Sequence, residues 1–71
     1  MKFVIKHEIR GRIRIHIIQK RMSYRQADIL QYHFSAQTFV TAVKVETRTQ
    51  DMTIAYVGDR QKLITKLQQF H

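Results

Sequence analysis

Arg10, Arg12 and Arg14 occupy alternate positions in Glu8-Ile9-Arg10-Gly11-Arg12-Ile13-Arg14-Ile15-His16-Ile17, and His16 keeps the same parity. Guanidinium groups at that spacing stand on one side of an extended chain, where their planar forks make the two-point contacts that phosphate and carboxylate favour. The chemistry open to this stretch is therefore recognition of an anion. Lys44 and Arg48 fall on a similar alternation, so the candidate anionic-partner contacts are Arg10, Arg12, Arg14, His16, Lys44 and Arg48. A row of cations is also the ordinary polar side of a half-buried sheet, and in that role it only keeps a domain soluble.

Metal and catalytic chemistry find less support. His7, His16, His33 and His71 have none of the close spacings of metal ligands, and there is no cysteine to complete a set. His7, His16 and Met22 are the weak metal candidates, Met22 for a soft ion alone. His7 shares the parity of the apolar positions, which predicts a core or edge histidine on the face opposite His16. The carboxylates Glu8, Asp28, Glu46, Asp51 and Asp59 are scattered, and none sits beside a nucleophile and a base. Neither a P-loop nor a dinucleotide-binding glycine pattern occurs. The chain is expected to be non-enzymatic and to need no cofactor.

The elements that must position these residues follow from periodicity. Phe3, Ile5, Ile9, Ile13, Ile15 and Ile17 alternate with Lys2, Lys6, Glu8, Arg10, Arg12, Arg14 and His16, with Val4 as the exception. Period two means strand, and the run is too long for one strand, so the chain is expected to fold back near Gly11. Pairing Ile9 with Ile13 and Ile5 with Ile17 keeps the isoleucines on one face and requires the odd-length link Arg10-Gly11-Arg12. Ser23 with Gln26 forms a capping box, opening a helix to about Ala36 whose stripe is Ala27, Leu30 and Phe34, flanked by Ile29 and Ala36. Val43 and Val45 mark a strand, and Met52, Ile54 and Tyr56 mark another, joined by Thr49-Gln50-Asp51. Asp59 caps a second helix with the stripe Leu63, Leu67 and Phe70, adjoined by Ile64. The order predicts an α+β, ferredoxin-like sandwich: an antiparallel sheet with two helices on one face, and an N-terminal hairpin in the place of the last strand. If the hairpin leaves that edge open, homodimerisation by edge-strand pairing is expected.

The 71 residues fit a single domain, residues 1–71, with a formal net charge of +8. Such a charge suits nucleic acid, anionic lipid headgroups or an acidic protein surface. No apolar run has the length of a membrane span or of a signal peptide, which leads to the expectation of a cytoplasmic domain. Single-strand RNA readers of similar topology stack bases on aromatic side chains of the open sheet face. Here Phe3, Phe34, Phe39, Tyr56 and Phe70 fall on or near core stripes, which leaves a free-standing nucleic-acid-binding module as the second reading.

His7-Glu8-Ile9-Arg10-Gly11-Arg12-Ile13-Arg14-Ile15, then Val40-Thr41-Ala42-Val43-Lys44-Val45 and Thr53-Ile54-Ala55-Tyr56, resemble the cysteine-free heavy-metal-associated domain. That domain is found at the N-terminus of some bacterial P-type cation-transporting ATPases, with a signature like H-x-x-x-G-R-[IV]-R. The likeness covers nearly the whole chain. It implies a ferredoxin-like regulatory or docking module on the cytoplasmic side of a membrane-bound transporter, with no ATPase chemistry of its own. The implied partners are acidic cytosolic domains of the parent transporter or anionic lipid headgroups. Metal-binding relatives carry Cys-x-x-Cys between the first strand and the first helix, whereas this loop is Gln19-Lys20-Arg21-Met22-Ser23. Relatives place glycine just before the strand-two valine, whereas this chain has Phe39, which reads as a buried or half-buried loop aromatic.

Overall fold

A computed structural model describes residues 1–70; His71, one of the four histidines considered above, lies outside the described residues. The chain runs β1 (Phe3–Ile9), β2 (Arg12–Ile17), α1 (Tyr24–Ser35), β3 (Val40–Glu46), β4 (Asp51–Tyr56), α2 (Arg60–Gln69). All neighbouring strands are antiparallel, in the order β1-β2-β4-β3. This is the ferredoxin-like α+β arrangement. The edge position beside the central β2, usually taken by a strand after the second helix, is filled by N-terminal β1. The chain ends meet, because the Met1 amino group donates to the Phe70 carbonyl at 2.7 Å.

One apolar layer joins sheet and helices. Ile13, Ile15 and Ile17 of β2 and Met52, Ile54 and Tyr56 of β4 are buried against Ala27, Leu30 and Phe34 of α1 and Leu63, Ile64 and Leu67 of α2. Ile29 is half exposed and Ala36 is exposed, so the α1 stripe is narrower than its sequence suggested. Phe39 is buried in the same core, under the Lys62 ammonium 5.0 Å from its ring centre.

Each helix begins where its capping residue dictates. The Ser23 hydroxyl accepts from the Gln26 amide at 3.1 Å, and the Gln26 side chain accepts from the Ser23 amide at 3.0 Å. The Asp59 carboxylate accepts from the Gln61 amide at 3.0 Å. Ser23→Ala removes the hydroxyl that accepts from the Gln26 amide and leaves that N–H without its cap, so chemical denaturation is expected to show a loss of about 1 kcal/mol with an unchanged m-value.

The β1–β2 hairpin differs from the parity argument. Phe3 lies opposite Ile17, Ile5 opposite Ile15, and Ile9 opposite Arg12, so the link is the two-residue Arg10-Gly11 turn and not Arg10-Gly11-Arg12. Gly11, at φ 83°, supplies the left-handed backbone this turn needs. The phase is reset by a bulge between Ile5 and His7, where Lys6 has no partner. Below the bulge Phe3 and Ile5 share the helix-covered face with the β2 isoleucines. Above it, Glu8 is the residue on that face, while His7 and Ile9 are on the open one. β3 has a similar irregularity at Thr41, between the Val40 and Ala42 pairs. Both edge strands are thus bulged, a device that blunts edge-to-edge pairing.

Candidate anion-binding face

Strand register sorts the open face into three rows, because residues directly opposite in an antiparallel pair share a side of the sheet. Nearest the Arg10-Gly11 turn are Ile9, Arg12, Ala55 and Ala42; next come His7, Arg14, Thr53 and Lys44; last come Val4, His16, Asp51 and Glu46. Two arginines on alternate β2 positions are about 7 Å apart along the strand, and His7 sits directly across from Arg14. His7, Arg12, Arg14 and Thr53 line a hollow of about 150 Å³.

Intramolecular polar contacts occupy the part of this face away from the Arg10-Gly11 turn. His16 Nδ1 lies 3.0 Å from an Asp51 oxygen, and Lys44 Nζ lies 3.5 Å from a Glu46 oxygen. Glu8 is engaged through the other side of the sheet, where the Arg60 guanidinium donates to it with both arms of its fork, Nη2 at 3.1 Å. That hydrogen bond to the carboxylate is the main cause raising the Arg60 guanidinium above its ordinary pKa. Arg10, Arg12 and Arg14 have no hydrogen-bond or carboxylate partner among the described residues. The unpaired guanidinium groups of the open face therefore cluster toward the turn end of the sheet.

Four of the sequence-level placements need correction. His7 is on the open face beside Arg14, not on the apolar face, because the Lys6 bulge shifts everything after it by one residue. His7 and His16 consequently share a face, in different rows. Met22 is buried among core hydrocarbon, where it lines with Ile17, Leu30 and Phe70 a hollow of about 330 Å³ that Lys2, Gln19 and Gln26 also border, so its thioether is not presented on the loop surface. Arg48 lies in the β3–β4 turn, at the end of the sheet opposite Arg10, and does not extend the arginine row. Among the described residues no three histidine, aspartate or glutamate side chains converge as a metal-ligand group.

Gln50, which sequence reasoning passed over, is the staple between the β3–β4 turn and the end of β2. Its side-chain amide donates to the carbonyls of Ile17 at 3.0 Å and Gln19 at 2.9 Å, while its own carbonyl accepts from the Ile17 amide at 2.8 Å. The residue adopts φ 61°, a conformation more common for glycine or asparagine, from which its side-chain amide reaches both carbonyls.

No family model, curated protein or solved structure matches the chain. Among the described residues no helix is long and apolar enough to cross a membrane.

Proposed function

We propose that the chain is a non-catalytic regulatory or docking domain of a cation-translocating P-type ATPase, and that it docks on an anionic surface at the membrane through the turn end of its open sheet face. One observation carries this reading: Arg12 and Arg14 stand together on that face without an intramolecular carboxylate, while the lysine and histidine of the same face that lie near acids are paired. The resemblance of the segments around Gly11-Arg12-Ile13-Arg14 and Val43-Lys44-Val45 supplies the transporter context. A stacking platform for single-stranded nucleic acid has no counterpart, since the open-face positions of the described strands hold no phenylalanine, tyrosine or tryptophan.

The test is the mass and location of the native polypeptide that carries this segment, detected in source cells with an antibody against the domain. A membrane-bound species many times larger than 8.6 kDa is expected. A soluble species of about that mass overturns the reading in favour of a free-standing nucleic-acid-binding module. For the face itself, Arg12→Ala with Arg14→Ala is expected to change stability by no more than about 0.5 kcal/mol, because both side chains are exposed, while abolishing the anionic contact. A loss of several kcal/mol on denaturation contradicts this placement.

A further inference from the structure

His7, Arg12, Arg14 and Thr53 reach their common hollow from three adjacent strands, β1, β2 and β4. Each guanidinium presents N–H donors in a fixed fork, the threonine adds a hydroxyl, and the imidazole adds a ring N–H. A carboxylate has two oxygens with about four lone-pair sites, which two guanidinium forks already fill. A phosphoryl group has three strong acceptor oxygens and a charge of about −1.5 to −2 as a monoester, so it takes all four donor groups and matches two arginines in charge. Thr53, Ala55 and Ala42 are short side chains in the middle of the face, which leaves an approaching headgroup room beside the arginines.

Val4 and Ile9 belong to the same face of β1, on either side of His7, and each is 46% exposed. Ile9 stands opposite unpaired Arg12, and Val4 is one row beyond Arg14, a mix of aliphatic and cationic groups that suits the boundary of a bilayer, where hydrocarbon enters the acyl margin and cations stay level with the phosphates. An acidic protein surface offers carboxylates in place of phosphates, which is the difference the test below reads.

We propose that the hollow of His7, Arg12, Arg14 and Thr53 is a phosphoryl site that seats the phosphomonoester headgroup of an anionic phospholipid of the phosphatidate kind, with Val4 and Ile9 against the membrane surface beside it. This rests on the docking reading above and names its partner.

The test is partitioning of the 71-residue chain onto phosphatidylcholine vesicles that carry phosphatidic acid, or a fatty-acid carboxylate at matched surface charge. Tighter binding to the phosphatidate vesicles is expected. Arg12→Gln with Arg14→Gln weakens it by about 30-fold, as each basic residue near an anionic leaflet is worth about fivefold. Lys20→Gln with Arg21→Gln, an equal charge change in the β2–α1 loop, keeps the preference for phosphatidate over carboxylate. Equal binding to phosphate and carboxylate vesicles overturns the phosphoryl site while leaving docking on an acidic surface in place. Saturable shifts of the Arg12, Arg14 and Thr53 amides with inorganic phosphate, without vesicle binding, assign the hollow to a free phosphate and overturn the membrane partner. Absence of binding to every anionic vesicle also overturns it, and the docking reading then depends on the membrane-fraction measurement alone.

Discussion

Phe34→Ala is expected to lower the melting temperature by more than about 12 °C. Phe34 is fully buried at the centre of the helix-facing layer, with the His33 ring 4.9 Å and the Phe70 ring 5.6 Å from its own. Truncating such a side chain costs about 3–5 kcal/mol, from lost transfer energy and the cavity left behind. A domain of this length shifts by about 4–8 °C for each kcal/mol. Because total stability for small domains is about 5–15 kcal/mol, the variant approaches unfolding at physiological temperature. Thermal unfolding followed by circular dichroism measures the effect, and a shift of only a few degrees places Phe34 outside the core.

The second large effect is on binding. Arg12→Glu with Arg14→Glu changes the face by four charges, and about 1 kcal/mol per charge near an anionic leaflet amounts to about a 1,000-fold loss of vesicle affinity. Stability is expected to change little, since both side chains are exposed and no carboxylate pairs with either among the described residues. The wild-type interaction also weakens as salt rises, because the screening length falls from about 10 Å at 0.1 M to about 3 Å at 1 M. Sedimentation of both proteins with anionic vesicles across a salt series separates these effects. Undiminished binding by the double glutamate variant moves the contact elsewhere on the surface.

Helix starts, strand identities and the layer order were legible because each rests on a local signal. Ser23 with Gln26 and Asp59 are capping residues whose partners lie within three positions, and the β2 isoleucines alternate without interruption. The hairpin register was not legible, because period two fixes faces only while the ladder is regular. One unpaired residue at Lys6 exchanges the faces of the rest of β1, which moved His7 to the arginines and brought Glu8 to Arg60. Gly11 alone marked where the chain turns, and a single glycine does not distinguish a two-residue link from a three-residue one. The burial of Met22 was not legible for another reason: a loop position in sequence does not reveal that the chain turns its side chain into the core. The cation row itself was readable, but which of its members remain unpaired depends on contacts between distant residues such as His16 and Asp51.

The position of β1 also bears on how quickly the sheet assembles. In the usual strand order the edge strand beside the central one follows the second helix, so its pairing closes a loop spanning most of the domain. Here it joins β2 through Arg10-Gly11. Loop-closure entropy is then small, and a hairpin of this kind forms in about 1–10 μs, before any contact between the ends of the chain is required. Long-range closure is left to the central pairing of β2 with β4 and to the meeting of Met1 with Phe70. Joining those ends and opening the chain between Arg10 and Gly11 yields the conventional connectivity with the same neighbours in space. The permuted chain has a higher contact order and so a slower search for the same sheet.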